Sequence, residues 1–291
     1  MYYLNQPINS PKVIYIPKGS INKIISQMQD KNYNVSKLDS ILLRLIGSPQ
    51  SGWIDIGKRK LTRAEFLHKL TTSKAALQEI TLIPGETTYI FLNQLAQKLS
   101  LDRKLLENEY KLYTQREEGM FVPNTYKLPI GVTERMTIRI LLNKSKAAMQ
   151  KIAIKIFGAY NEKKWFHFVT LASVIQKESA SVEEMPLVSS VIYNRIKKNM
   201  RLQMDGTLNY GKYSHIRITP KRIREDSSTY NTYKHSGLPS APVCNVSMDA
   251  IRAAIFPAKT EYLYFMKSKN GTHDFTRYYS THLSNIKRAT K

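Results

Sequence analysis

The sequence predicts an α+β fold in which short strands and amphipathic helices follow one another along the chain. Strands are predicted where apolar residues run up to a Pro or Gly, as in Val13 to Ile16 before Pro17. Helices are predicted where apolar residues recur at helical spacing behind a capping hydroxyl, as after Ser20. With 291 residues, 42% of them hydrophobic, the chain can bury a sizeable core in one large domain or two ordinary ones.

Small strand–helix–helix units are predicted in residues 1–80. A second helix is predicted to begin near Ser36, with its apolar face formed by Leu38, Leu42 and Leu45. Units of this kind occur in LysM carbohydrate-binding modules, and the same pattern is common in α+β domains generally. From Glu118 onward, loops rich in Tyr, Asn and Thr interrupt the helices, which suits either sugar binding or ordinary turns. Near the C-terminus, Asn270-Gly271 between two apolar runs predicts a β-hairpin.

The chain is strongly basic: 45 Lys and Arg residues against 22 acidic ones give a formal net charge of +23. This excess indicates an anionic partner, which could be nucleic acid, phospholipid or an acidic wall polymer. Nucleic-acid binding predicts basic residues clustered on one face with interleaved aromatics. Here Lys and Arg are spread along the chain, so no nucleic-acid partner is predicted.

Neither a metal nor a cofactor is predicted. Cys244 is the only cysteine, so an intrachain disulfide and a Cys-based zinc site are both excluded, and the six histidines lack metal-ligand spacing. The sequence contains neither a glycine-rich phosphate loop nor a GxSxG turn. It also lacks an apolar stretch of about eighteen residues, and the N-terminus does not have the pattern of a signal peptide.

Glu178 is the sharpest chemical candidate. A helix predicted from Lys164 to Ser179 has an apolar stripe that ends with Val174, Ile175 and Glu178 on one face. Burial there, together with the negative end of the helix dipole, would raise the pKa of this carboxyl, as a general acid requires. A Glu that reaches solvent from a fraying helix end is the alternative, and helical spacing alone slightly favours it.

Polar residues after the next helix form a second candidate group. Asn194 and Arg195 extend the apolar face of a helix that begins at Pro186, so both should point towards something polar. Alternation along the following segment places Gln203, Asp205 and Thr207 on one side. A site lining and a solvated edge fit this pattern equally well.

These segments together resemble the YceG-like endolytic murein transglycosylases (MltG). The resemblance runs in unbroken order from about Thr81 to the C-terminus, and that order makes it specific. It rests on nine segments of this sequence: EGMFVPNTY at 118–126, LASVIQKE at 171–178, EEMP at 183–186, VIYNR at 191–195, LQMD at 202–205, YNTY at 230–233, GLP at 237–239, AIRAA at 250–254 and PAKTEYLYF at 257–265.

The resemblance implies an N-terminal LysM-like domain at residues 1–80 and a mixed α+β, YceG-like catalytic domain at residues 81–291. It implies Glu178 as the acid and then the base of a reaction that cleaves glycan strands and leaves 1,6-anhydro-muramyl ends. A substrate-binding role is assigned by hypothesis to Glu118, Asn194, Gln203, Asp205, Thr207, Tyr230 and Asn231. A wall-binding protein that kept the fold and lost activity is the alternative.

The implied partners are peptidoglycan strands and the cell-wall synthesis machinery. The implied location is the periplasmic face of the inner membrane, through an N-terminal anchor outside this numbering. The sequence departs from the family pattern at four places: Asn124 stands for the usual Asp, Met204 for Thr, Gly206 for Pro, and Ser179-Ala180 for Thr-Gly. The loss of a carboxyl at Asn124 weakens the case for that loop as a catalytic partner.

Overall fold

The computed structural model describes residues 2–290 and has the mixed α+β architecture that the sequence predicts. It divides into two compact units. The first unit ends at Ile80 and also contains Lys127–Thr133, whereas the second contains Thr81–Tyr126 and the chain from Glu134 onward. The sequence predicted one linear boundary after residue 80, and it gave no sign that a later segment returns to the first unit.

The first unit is built from two antiparallel strand pairs and three helices. Its elements are β1 (Pro7–Asn9), β2 (Val13–Ile16), α1 (Ile21–Asp30), α2 (Lys37–Ile46), β3 (Gly52–Asp55), β4 (Lys60–Thr62) and α3 (Arg63–Thr72). Strand β1 pairs with β4, and β2 pairs with β3. The predicted caps are confirmed, because Ser20 and Ser36 accept backbone hydrogen bonds at the starts of α1 and α2. An isoleucine- and leucine-rich cluster forms the core.

The predicted apolar face of α2 is confirmed only at Leu42, which packs against the core. Leu38 and Leu45 are 56% and 80% exposed, while Asp39 and Leu43 are fully buried. Asp39 is buried because its carboxylate accepts a hydrogen bond from the buried guanidinium of Arg63 at 2.5 Å. The leucines of α2 could not predict which face of the helix is buried, because Arg63, the ion-pair partner of Asp39, belongs to another helix.

Strands β5 (Leu77–Leu82) and β6 (Asn124–Pro129) form a two-stranded sheet. The remaining elements of the second unit are α4 (Thr88–Leu99), α5 (Arg103–Tyr113), α6 (Glu134–Phe157), α7 (Glu162–Glu178), α8 (Met185–Lys197), α9 (Pro220–Glu225), α10 (Met248–Ile255), β7 (Tyr264–Lys267), β8 (His273–Thr276) and α11 (Tyr279–Thr290). Strands β7 and β8 form the hairpin predicted around Asn270-Gly271. Among residues 2–290, no helix is long and apolar enough to cross a membrane.

Helix α7 lies at the centre of the second unit and packs against α8 and α10. The predicted stripe of Leu171, Val174 and Ile175 is buried, but Val169 and Ala172 on the other side are buried as well. A helix enclosed on most sides cannot have a solvent face, so its sequence is apolar nearly all round. Glu178 therefore ends a helix whose position is fixed by a well-packed core.

Candidate active site

Glu178 is the last residue of α7, and its partly buried side chain lines a cavity. Its Oε1 atom accepts a hydrogen bond from the backbone N–H of Gly206 at 2.7 Å. Burial raises the pKa of Glu178 from 4.5 to about 7, and the negative charge of Asp205 acts in the same direction. The Gly206 N–H and the cation of Arg195 oppose this rise. The carboxyl can therefore hold a proton near neutral pH.

Gly206 is required by the close approach of two segments. A Cβ atom at this position would lie 2.6 Å from the Cβ of Lys177 and 2.8 Å from Oε1 of Glu178. Gly206 belongs to a short 3-10 turn, Asp205–Leu208, whose backbone contacts the end of α7. The absence of a side chain thus lets a backbone donor reach the candidate acid.

A cavity of about 460 Å³ opens in front of Glu178. The polar and aromatic side chains that line it come from six parts of the second unit: Glu178, Arg195, Gln203, Asp205, Tyr233, Tyr264, Phe265, Lys267, His273, Tyr279 and His282. Of the residues predicted for the site, the structure brings together Glu178, Gln203 and Asp205.

Asp205 is held in the cavity by a tyrosine. The hydroxyl of Tyr233 donates a hydrogen bond to Oδ1 of Asp205 at 2.6 Å. The backbone N–H of Tyr233 in turn donates to Oδ1 of Asn231 at 3.1 Å. Burial raises the pKa of Tyr233, so its hydroxyl remains a donor. Asn231 is fully buried and supports the site from behind, whereas it was predicted to contact substrate.

Besides Lys267, Arg195 supplies positive charge to the cavity. Its Nε atom donates to the carbonyl of Leu263 at 2.6 Å, and its Nη1 atom donates to the carbonyl of Leu202. The guanidinium also lies 5.5 Å from the ring centre of Tyr264. Because these partners are neutral, the charge of Arg195 stays available to negative groups in the cavity. Helical spacing placed Arg195 on the polar extension of α8 without identifying it as a site residue.

Asn194 and Thr207 do not line the cavity. The side-chain amide of Asn194 donates to the carbonyls of Thr260 and Tyr262, both at 2.9 Å. Thr207 is fully buried, and its hydroxyl donates to the carbonyl of Met204 at 2.7 Å. The predicted alternation holds up to Asp205 and then fails, because the 3-10 turn that begins there rotates Thr207 into the protein.

Glu118 and Tyr230 also lie outside the cavity in front of Glu178. Glu118 is buried beside a second cavity of about 440 Å³, where its Oε2 atom accepts the backbone N–H of Thr88 at 2.8 Å. Burial raises the pKa of Glu118 to about 8. The ring of Tyr230 stacks on Tyr210, with ring centres 4.3 Å apart. Asn124 is exposed at the start of β6 and does not line the cavity of Glu178.

Sequence reasoning missed the far wall of the cavity, formed by the hairpin and α11. Tyr264, His273, Tyr279 and His282 lie about 85 to 105 residues after Glu178 in the chain. No local sequence spacing relates these four residues to Glu178. The predicted hairpin indicated two strands, but it did not indicate that their side chains line a cavity. Among residues 2–290, no cluster of His, Cys, Asp and Glu side chains could hold a metal ion.

A family model and two named relatives that match this chain point to the same family. The model of the YceG-like family matches residues 14–288. The endolytic murein transglycosylase of Bacillus subtilis (strain 168) is 40% identical over 114 residues, which cover 39% of this chain and 32% of that protein. The endolytic murein transglycosylase of Streptococcus pneumoniae (strain D39) is 33% identical over 158 residues, 52% of this chain and 28% of that protein. The matches thus span about a third or less of these relatives.

The crystal structure of a yceG-like protein from Listeria monocytogenes superposes with a TM-score of 0.61 at 24% sequence identity. The superposition covers 96% of this chain and 99% of that chain. At this identity the likeness shows that the two proteins share a fold.

Proposed function

The chain belongs to the YceG-like family, and from this premise we propose that it is an endolytic murein transglycosylase. Its substrate is the peptidoglycan glycan strand, cleaved between N-acetylmuramic acid and N-acetylglucosamine. One observation carries the proposal: Glu178 faces an open polar cavity with its pKa raised to about 7. A group of this kind can donate a proton to a glycosidic oxygen at neutral pH.

The proposed reaction needs one carboxylic acid. Glu178 protonates the leaving glycosidic oxygen, and the 6-hydroxyl of the same muramyl residue attacks its anomeric carbon. The product is a 1,6-anhydro-muramyl end, and no water is consumed. The proton released by the 6-hydroxyl restores Glu178. Intramolecular attack benefits from the high effective concentration of the hydroxyl, so no second carboxylate is needed as a nucleophile.

The other cavity residues have electrostatic and positioning roles in this proposal. Asp205 carries negative charge beside Glu178, which favours the positive charge that develops at the anomeric carbon. Gln203 is exposed in the cavity and offers amide groups to the acetamide and hydroxyls of the sugar. The hydrogen bonds of Asn194, Thr207 and Asn231 support roles in holding the cavity walls.

We further propose that the first unit is a LysM-like wall-binding module. In support, β2, α1, α2 and β3 follow one another, and the two strands pair antiparallel. Tyr15 and Trp53 face each other across these strands, with ring centres 5.4 Å apart and both rings partly exposed. Exposed flat rings suit stacking on sugar rings. Replacing both by Ala should weaken sedimentation of the protein with purified cell walls, and unchanged sedimentation would contradict this assignment.

The proposed site of action is the cell envelope, at the periplasmic face of the inner membrane and beside the cell-wall synthesis machinery. This location follows from the proposed substrate and from the family resemblance. Recovery of the protein with peptidoglycan synthases after in vivo cross-linking tests it. Recovery only from the cytosol would contradict it.

The proposed activity is tested by incubating purified peptidoglycan with the protein and separating the products by liquid chromatography and mass spectrometry. The wild type should shorten long strands internally and release anhydro-muramyl ends. Glu178→Gln should lower the rate at least about 100-fold, because the general acid is lost. Glu183→Gln, an exposed neighbour outside the cavity, is the matched control and should retain the rate.

Two outcomes would contradict the activity. Wild-type protein that sediments with peptidoglycan but releases no product would indicate a wall-binding protein without catalysis. Equal product from the wild type and Glu178→Gln would place the acid elsewhere.

A further inference from the structure

His273, which lines the cavity of Glu178, forms a titratable pair with Glu184. Glu184, just before α8, accepts two hydrogen bonds from His273 on β8, both at 2.7 Å. Its Oε1 atom accepts the backbone N–H, and its Oε2 atom accepts the ring Nδ1–H. Both side chains are mostly buried, about 10% exposed. The pair therefore fixes the position of the imidazole as well as its orientation.

The orientation leaves one ring nitrogen free. Because Nδ1 carries the hydrogen given to Glu184, the neutral imidazole has its lone pair on Nε2. Nε2 has no hydrogen-bond partner in the part of the chain that the structure describes, and it is not sealed from solvent. A histidine held in this way is ready to accept a proton, because the carboxylate at Nδ1 stabilises the imidazolium that forms.

The pair is also connected to the candidate acid through the backbone. Oε2 of Glu184 accepts the N–H of Ala180 at 3.2 Å, in the turn that directly follows Glu178. The same carboxylate therefore holds the end of α7 and the ring of His273. Glu178 and His273 line one cavity, so both can face a single bound sugar.

We propose that Nε2 of His273 receives the proton of the attacking muramyl 6-hydroxyl, a role that rests on the proposed transglycosylase function. As the bond from O6 to the anomeric carbon forms, the bond from that carbon to the leaving oxygen breaks. The proton of Glu178 goes to the leaving oxygen, and the proton of the 6-hydroxyl goes to His273. The imidazolium then returns a proton to the Glu178 carboxylate through water in the open cavity, which restores both groups.

His273→Asn is the informative variant. The Asn side-chain amide can still donate to Glu184 from about the position of Nδ1, but it has no atom in the place of Nε2. We expect kcat to fall about 100-fold with KM changed by less than about threefold, since general-base catalysis contributes about 100-fold or more. We also expect the ratio of anhydro to hydrolysed ends to fall severalfold, because the 6-hydroxyl loses its base and water competes.

Two further variants separate this role from a structural one. Glu184→Gln keeps an acceptor for the backbone N–H but removes the charge that stabilises the imidazolium, so kcat should again fall while the unfolding temperature changes little. His215→Asn is the matched control, because His215 also pairs with a glutamate, Glu86, but does not line this cavity. It should leave both kcat and the product ratio unchanged.

Each outcome decides the proposal. An active wild type, with His273→Asn equal to it in kcat and product ratio, would overturn the role of His273 and leave the proposed function standing. A fall in kcat with an unchanged product ratio and a lowered unfolding temperature would assign His273 a structural role only. Wild-type protein that releases no anhydro ends would overturn the proposed function and this inference with it.

Discussion

Glu178 combines burial with a hydrogen bond from a backbone amide at the end of α7. Protein atoms surround most of its side chain, and its nearest donor is a backbone amide that no change of side chain can remove except replacement by proline. Burial favours the neutral acid, while the Gly206 N–H favours the carboxylate and fixes its direction. Because these two effects on its pKa oppose each other, the Glu178 carboxyl holds a proton at neutral pH and can still transfer it.

The pH dependence of the rate follows from this balance. A general acid works in its protonated form, and the pKa of Glu178 is raised to about 7. Hence kcat/KM should fall about tenfold per pH unit above about pH 7, as measured in a series of buffers of equal ionic strength. Glu118→Gln checks the assignment, because the pKa of Glu118 is about 8 and that residue lies at the other cavity. If the pH at which kcat/KM begins to fall changes in this variant, the assignment of that fall to Glu178 is contradicted.

Gly206→Ala tests the close contact at the acid. The added Cβ would lie within 3 Å of both Lys177 and Glu178, so the carboxyl must move. We expect kcat to fall about 10- to 100-fold, since small displacements of a catalytic group are costly. Gly158→Ala is the control: its left-handed backbone strains an alanine, but nothing lies within 4 Å of the new Cβ. Equal activity of the two variants in the same assay would show that the contact at Gly206 does not matter.

At the scale of elements, the sequence predicted most helices and strands because their signals are local. Capping by Ser20 and the hairpin at Asn270-Gly271 depend on a few neighbouring residues. The face that a helix buries depends on what packs against it. Helix α2 is oriented by the ion pair of Asp39 and Arg63, and no spacing within the helix carries that information.

The same ion pair gives a test of stability in the first unit. Asp39→Asn would leave the buried guanidinium of Arg63 without a counter-charge, which costs about 3–5 kcal/mol of unfolding free energy. Chemical denaturation followed by circular dichroism measures the change. Asp30→Asn, on the exposed end of α1, should change the free energy by less than about 0.5 kcal/mol. A loss below about 1 kcal/mol in Asp39→Asn would show that water reaches Arg63 readily.

At the scale of the whole molecule, part of the candidate site was predictable and part was not. Glu178, Gln203 and Asp205 come from two segments whose family motifs stand close together in the sequence, and they meet in one cavity. Tyr233 and His273 complete that cavity from distant segments that only the tertiary fold brings there. Asn194, Thr207 and Asn231 carry polar groups in the same motifs, but their hydrogen bonds are directed into the protein.

The net charge of +23 leads to a prediction for the intact protein. Binding to cell walls that carry anionic polymers should weaken as salt rises, because salt screens attraction between exposed charges. Co-sedimentation in low and high salt measures this, and walls stripped of their anionic polymers are the control. Binding that is equally insensitive to salt on both kinds of wall would contradict a role for the positive net charge in wall binding.

The central claim is that one acid, Glu178, cleaves the glycan without a water nucleophile. Its most direct test is digestion of purified glycan strands in water enriched in the heavy oxygen isotope, with mass spectrometry of the new muramyl ends. The account predicts anhydro ends that carry no label from the wild type, and no new ends from Glu178→Gln. Labelled reducing ends as the main wild-type product would contradict it, because they would show that water attacks the anomeric carbon.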